Sequence, residues 1–167
     1  MNSKRVGILI IAHNNIGLQL LETATDMLDR SCPQVRSLEV KQDDDPVHLL
    51  TRARRLMGDI QQGMGVLVLT DMYGSTPSNI AHRLSESPAP NHESAKSDQL
   101  RGDQAKSDEN GSDVAERARV HVIAGINLPM LVRTLNYAHL PLDELALKAL
   151  SGGRDGILDA SELEKKG

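Results

Sequence analysis

Three groups of residues in this sequence have side chains suited to chemistry, and each follows an apolar segment. His13 comes directly after the apolar run at 6–12. Asp71 comes just after a second apolar run, at 66–69, and a polar turn follows it. That turn combines glycine, hydroxyl side chains and a proline, in the order Gly74, Ser75, Thr76, Pro77 and Ser78.

Together these residue types predict nucleophilic chemistry on an anionic group. A neutral imidazole is a nucleophile when one ring nitrogen is free and the other keeps its proton. A carboxylate such as Asp71 that accepts the N–H of His13 fixes this tautomer and stabilises positive charge as the ring is phosphorylated or alkylated. The unpaired backbone N–H groups and the hydroxyls of a helix start at 74–78 would receive an anion such as phosphate.

The spacing of apolar residues predicts the elements that position these groups. Short apolar runs predict strands at 6–12, 35–40, 66–69 and 120–124. Stripes of helical period predict amphipathic helices at 16–30, from Pro46, from Pro77, from Asn127 and at 141–150. The stripe of the first helix consists of Leu20, Ala24, Met27 and Leu28. This alternation predicts an α/β fold, an open and mostly parallel sheet with helices on both faces.

In such a sheet, ligands bind outside the carboxyl ends of the strands, so His13, Asp71 and the 74–78 turn should meet at one edge. Each of them also has an ordinary structural interpretation. A histidine after a strand can cap or pack, an aspartate can cap a turn, and Thr76 with Pro77 can form a helix N-cap. The convergence of all three groups on one edge favours a functional site.

Composition limits the classes of protein to which the chain can belong. Its 167 residues are predicted to form one domain, and a net charge of -4 with only two aromatic residues, both tyrosines, disfavours nucleic-acid binding. A single cysteine, Cys32, predicts a reducing compartment. The run at 6–12 is too short for a signal peptide or a membrane span, so a cytoplasmic protein without membrane insertion is expected.

No sequence motif indicates a cofactor or a metal ion. The chain contains no GxGxxG, P-loop or HExxH segment, so dinucleotide, ATP and zinc-protease functions have no support. The acidic run Asp43–Asp45 resembles a cation site, but Asp45 before Pro46 is explained by helix capping and its neighbours by solvation. We therefore expect no cofactor and no metal.

Two segments depart from the alternating pattern. Residues 88–117 lack apolar periodicity and repeat Ala-Lys-Ser-Asp at 95–98 and 105–108, which predicts a disordered insertion. Near the end of the chain, Gly156–Leu158 could form a short edge strand.

Four segments resemble the mannose-type enzyme IIA family of the bacterial phosphoenolpyruvate-dependent phosphotransferase system. They are GILIIAHNNIG, GVLVLTDMYGSTPSN, VIAGINLPMLVRTL and ALSGGRDGI. They follow the family order over essentially the whole chain except 88–117. The combination of a strand followed by histidine with DxxGxTPSN and GxNLPML is specific, whereas each piece alone would be modest.

The resemblance implies a phosphoryl carrier. In that family the histidine after the first strand accepts a phosphoryl group from the phosphocarrier HPr and passes it to an enzyme IIB, which is the role implied for His13. Asp71 is implied to be hydrogen-bonded to it. The phosphate-side loop corresponds to Gly74, Ser75, Thr76 and Ser78, with Thr76 as the foremost hydroxyl contact. Family members are typically dimers that exchange a C-terminal strand, which would give the segment Gly156–Leu158 a purpose.

The sequence departs from the family pattern at two positions and leaves three functions open. Asn14 stands where a small residue is common, and Ser75 where a second glycine is common. The first function is phosphoryl relay in sugar uptake. The second is a regulatory phosphoprotein that senses the phosphorylation state of the system without a dedicated sugar permease. The third, the phosphocarrier subunit of a dihydroxyacetone kinase, fits GSTPSN and GINLPML less well.

Overall fold

The structure, a computed structural model, describes residues 4–86 and 119–163 of the chain. Four strands alternate with helices in this part: β1 (Gly7–His13), β2 (Val35–Val40), β3 (Val66–Thr70) and β4 (Val120–Ala124). The helices are α1 (Ile16–Leu28), α2 (Pro46–Ile60), α3 (Thr76–Glu86), α4 (Leu128–Asn136), α5 (Leu142–Asp155) and the short α6 (Ala160–Leu163). The four strands predicted at 6–12, 35–40, 66–69 and 120–124 are therefore present, and each of their bounds differs by at most one residue.

The strands form one sheet in the order β2-β1-β3-β4, and every neighbouring pair is parallel. In the register, His13 at the end of β1 lies opposite Val40 at the end of β2. Ile11 lies opposite Thr70 on the other side, and Thr70 lies opposite Ala124. The carboxyl ends of all four strands thus meet along one edge of the sheet, as the alternating pattern predicted.

Helices cover both faces of the sheet, and each face has its own apolar core. Alternate side chains of β1 point to opposite faces, with Ile8 and Ile10 in one core and Leu9 and Ile11 in the other. The first core is closed by α1, α4 and α5, and the second by α2 and α3. Burial on both faces explains why the central strands are almost continuously apolar. The predicted α/β class is confirmed.

The structure corrects two details of the helices and strands. Met27 belonged to the predicted inward stripe of α1, but its side chain is 63% exposed, because it lies at the flank of that stripe, whereas Ala24 is buried and Leu28 packs against the core. Helix α5 continues five residues past its predicted end at 150, to Asp155. The longer helix runs up to Gly156, and no strand forms at Gly156–Leu158. The Ile157 N–H instead donates to Arg154 O at 3.1 Å. The predicted edge strand is therefore absent from the single chain, and the exchange of a C-terminal strand between subunits stays a prediction.

The insertion predicted to be disordered, 88–117, lies outside the described residues. Within the two described ranges, none of the helices combines the length and the apolar character that crossing a bilayer requires.

Candidate functional site

The site begins where β1 ends, because the chain there turns from strand to helix within two residues. His13 is the last residue of β1, and α1 starts at Ile16. Asn14, between them, has a positive φ of 48°, and its N–H donates to Val40 O at 2.9 Å. The turn leaves the His13 side chain at the carboxyl edge of the sheet, with 37% of it exposed.

Asp71 holds His13 through two hydrogen bonds to a single oxygen. Its Oδ2 lies 2.8 Å from His13 Nδ1 and accepts the His13 backbone N–H at 2.9 Å. The other oxygen, Oδ1, accepts the backbone N–H of Met72 at 2.9 Å. A carboxylate accepts but does not donate, so this geometry requires the proton of the neutral ring on Nδ1 and leaves Nε2 with a free lone pair. The pairing proposed from the sequence is therefore present in the structure.

The surroundings of Asp71 keep it ionised. Burial raises the pKa of this carboxyl, but the hydrogen bonds from the His13 backbone and ring, the charge of His13 and the Met72 N–H act in the opposite direction. Their combined effect holds the pKa of Asp71 below its ordinary value. Near neutral pH the group that faces Nδ1 is therefore a carboxylate, which stabilises any positive charge that develops on the ring.

The lowered pKa of Asp71 predicts how stability changes with acidity. A carboxyl whose pKa is lower in the folded state contributes its full stabilisation above its unfolded pKa of about 4 and loses it as the pH falls through the lower folded value. We expect the difference in Tm between wild type and Asp71→Asn to be constant near neutral pH and to shrink below about pH 4. Thermal unfolding at a series of pH values measures it, and a difference that grows on acidification would contradict the assignment.

The turn after Asp71 forms the start of α3. Gly74 has a φ of 77°, a left-handed conformation that glycine adopts without strain. Ser75 O accepts the first helical hydrogen bond, from Asn79 N–H at 2.9 Å, so Ser75 is at the N-cap and Thr76 is the first helical residue, one position earlier than predicted. The exposed Thr76 and the following turn leave first-turn N–H groups without helical partners, a favourable environment for an anion.

The hydroxyl groups of this turn are in different surroundings. Ser75 Oγ donates to Met72 O at 2.6 Å and so holds the loop together. Ser78 is 7% exposed, and it lines a depression of about 290 Å³ between α3 and β4. The remaining lining residues are Tyr73, Gly74, Asn79, His82, Val122 and Ala124. The structure thus brings His13 and Asp71 into direct contact, whereas the roles of Gly74, Ser75, Thr76 and Ser78 toward a phosphate stay predictions.

The loop between the predicted fourth strand and the helix from Asn127 supports the site through contacts that were not predicted from the sequence. Gly125, with a φ of 93°, and Ile126 both donate their N–H groups to Thr70 O at 2.9 Å, directly before Asp71. Asn127 then caps α4 by accepting Met130 N–H, and its amide donates to Gly153 O at 3.2 Å. Glycine after a strand followed by Asn-Leu-Pro is a recognisable signal for such a turn and cap.

The acidic run Asp43–Asp45 serves the backbone. Asp44 Oδ2 accepts Lys41 N–H at 2.8 Å, and Asp45 Oδ1 accepts Val47 N–H at 3.2 Å as the predicted cap of α2. In the described ranges there is no group of three or more histidine, cysteine or acidic side chains arranged to hold a metal ion.

The sheet order and the paired histidine define an open parallel α/β domain in which the imidazole that ends β1 is held by the carboxylate that follows β3. Residues 7–93 match the model of the EIIA-man family, described as the PTS system fructose IIA component. This match covers more than half of the chain, and the chain belongs to this family. The resemblance drawn from the sequence motifs is confirmed.

Individual relatives agree with this membership. The chain is 27% identical over 164 residues to the PTS system mannose-specific EIIAB component of Escherichia coli K12. The matched region covers 96% of this chain but only 42% of that protein. The fold matches the EIIA component from Streptococcus agalactiae with a TM-score of 0.69 at 20% identity, covering 94% of this chain and 98% of that one. A IIA protein associated with the fucose utilization operon of Streptococcus pneumoniae matches with a TM-score of 0.67 at 18% identity, covering 98% of each chain.

Proposed function

We propose that this chain carries a phosphoryl group on Nε2 of His13, accepted from HPr and passed to an enzyme IIB in sugar uptake. Family membership supports a role in phosphotransferase-system phosphoryl transfer. The observation that carries the assignment to His13 is the 2.8 Å contact between Nδ1 and Asp71 Oδ2, which leaves Nε2 free on an exposed side chain. The chain would act as a phosphotransferase without a bound cofactor or metal.

The transfer step exchanges one nitrogen–phosphorus bond for another. The Nε2 lone pair attacks the phosphorus of the phosphohistidine on the donor, and the donor nitrogen leaves with the electron pair of the broken bond. The ring of His13, now bonded to phosphorus at Nε2 and to hydrogen at Nδ1, gains positive charge that the ionised Asp71 stabilises. Transfer to the acceptor runs the same step in reverse.

The start of α3 would bind the negatively charged oxygens of the phosphoryl group. The first-turn N–H groups and the positive end of the helix dipole favour an anion at Gly74, Ser75, Thr76 and Ser78. Thr76 is the exposed hydroxyl of this set, which supports it as the foremost contact.

The exposed surface beside His13 supports a protein as the donor and as the acceptor. Met72 is 60% and Tyr73 is 87% exposed, directly after Asp71, so apolar side chains stand open to solvent next to the reacting group. The E. coli relative is named an EIIAB component, and this chain spans 42% of its length, which supports an enzyme IIB as the acceptor. The proposal also includes that the chain forms a homodimer and acts in the cytoplasm.

A phosphorelay assay tests the proposal. Purified chain is incubated with phosphoenolpyruvate, enzyme I and HPr, and then with a candidate enzyme IIB. We expect one acid-labile phosphoryl group for each chain, and its loss from this chain when the enzyme IIB is added. A chain that stays unphosphorylated in the complete mixture would overturn the proposal.

A regulatory role would use the same histidine chemistry but would leave the phosphoryl group on this chain. A protein from Enterococcus faecalis described as a sigma-54 interaction domain protein shares the fold with a TM-score of 0.63 at 13% identity. Transfer onward to an enzyme IIB favours the relay. A phosphorylated chain that retains its phosphoryl group in the presence of the enzyme IIB units of its own cell favours regulation.

A further inference from the structure

Asn14, directly after the reacting histidine, has a backbone conformation that few residues adopt. Its φ of 48° is in the left-handed region, and in the described part of the chain only one other non-glycine residue, Asp29 with a φ of 47°, has a positive φ. Most L-residues are disfavoured there because Cβ approaches the following carbonyl oxygen. Glycine is free of this clash, and asparagine tolerates it better than most side chains.

The consecutive backbone N–H groups of His13 and Asn14 are held on opposite sides of β1. On the β3 side, Asp71 Oδ2 accepts the His13 N–H at 2.9 Å. On the β2 side, Val40 O accepts the Asn14 N–H at 2.9 Å. Immediately afterwards, Asn15 O accepts the first helical bond of α1 from Gln19. In the structure these bonds coexist with a left-handed conformation at position 14.

The Asn14 side chain itself is exposed and makes no hydrogen bond within the described ranges. Its effect on the site therefore comes from its backbone conformation. A glycine at position 14 should have the same effect on the site. This also accounts for the departure from the family pattern, because asparagine and a small residue such as glycine satisfy the same constraint.

We propose that Asn14 is a positioning residue for His13: its left-handed backbone fixes the end of β1 so that Asp71 accepts both His13 N–H groups and Nε2 points outward for phosphoryl transfer. This inference rests on the proposed function. A residue that resists the left-handed region must rotate about φ, which breaks the Val40 bond or shifts the start of α1. Either change moves the imidazole relative to Asp71.

Three variants separate positioning from general stability. Asn14→Gly is expected to accept phosphate at the wild-type rate, whereas Asn14→Val should be slower by roughly tenfold or more. The matched control is Asp29→Val, which places the same side chain at the other left-handed position, at the C-cap of α1 and the opposite end of that helix from His13. It should lower the Tm but leave the rate unchanged.

The ring of His13 provides a readout that does not need the relay. In long-range ¹H–¹⁵N spectra of the unphosphorylated protein, wild type, Asn14→Gly and Asp29→Val should show a proton on Nδ1 only. Asn14→Val should show both tautomers. If the spectra show these tautomers but the wild-type chain stays unphosphorylated in the phosphorelay assay, the proposed function is overturned and the positioning role remains supported.

A wild-type tautomer and a wild-type rate in Asn14→Val would overturn the positioning role, and so would equal losses in Asn14→Val and Asp29→Val. Circular dichroism verifies that each variant is folded. If Asn14→Val does not fold, Asn14→Ala, which carries the smaller side chain, decides by the same two measurements.

Discussion

His13→Ala is expected to accept no phosphoryl group from HPr. The proposed relay depends on one nucleophilic nitrogen, so its removal should lower the rate of phosphorylation by at least about a thousandfold, to the detection limit. Asp71 loses a partner in this variant, but the site is at the edge of the sheet, so the free energy of unfolding should fall by only about 1 kcal/mol. Radiolabel transfer and urea unfolding measure the two effects separately.

A second histidine serves as the control for this experiment. His48, near the start of α2, has a side chain that is 84% exposed and a contact of 3.7 Å with Asp45. His48→Ala should therefore be phosphorylated like wild type. Phosphorylation of His13→Ala at the wild-type rate, or its loss in His48→Ala alone, would place the phosphoryl group elsewhere on the chain.

Asp71→Asn is expected to retain the fold and lose most of the transfer rate. The amide has nearly the same shape, but it is neutral, and its NH₂ group can donate to Nδ1 and so favour the tautomer with the proton on Nε2. Because that tautomer blocks the attacking lone pair, and because the stabilising charge is lost, we expect the rate to fall by roughly a hundredfold or more. Single-turnover phosphorylation measures the rate, and ¹⁵N spectra of the ring show the tautomer.

The control for Asp71→Asn is Asp143→Asn. Asp143 is also a paired carboxylate, with its two oxygens 2.9 and 2.8 Å from Arg119 Nη2, but it lies in the first turn of α5, next to the start of β4. Its replacement should leave both the rate and the tautomer of His13 unchanged. If Asp71→Asn transfers phosphate within about threefold of wild type, Asp71 has no role in orienting the ring.

The sheet and the central pair were predictable because both follow from local patterns. Strands buried on both faces need continuous apolar runs, and parallel strands bring their carboxyl ends to one edge. His13 ends β1 and Asp71 directly follows the neighbouring strand β3, so the pattern of apolar runs predicts their contact. A short segment of sequence is enough to predict each strand, because burial on both faces requires a run of apolar residues.

The remaining features depend on interactions that no short window of sequence contains. Helix α5 continues past 150 because Gly152 and Gly153 pack closely on α4, where a Cβ would come within 2.8 Å of Arg133 and 2.6 Å of Met130. Read locally, two adjacent glycines predict a helix end. The left-handed φ of Asn14 likewise accompanies contacts with distant parts of the chain, since the N–H groups of His13 and Asn14 donate to Asp71 and Val40.

The contact between His13 and Asp71 joins residues that are 58 positions apart. During synthesis the histidine therefore emerges first, and its carboxylate follows only after β2, α2 and β3 have been made. Contacts of this range form once the intervening chain has collapsed onto the sheet, not before. A nascent or unfolded chain thus presents an imidazole with no fixed tautomer, and the phosphoryl-accepting ability of a sample becomes a direct measure of its natively folded fraction.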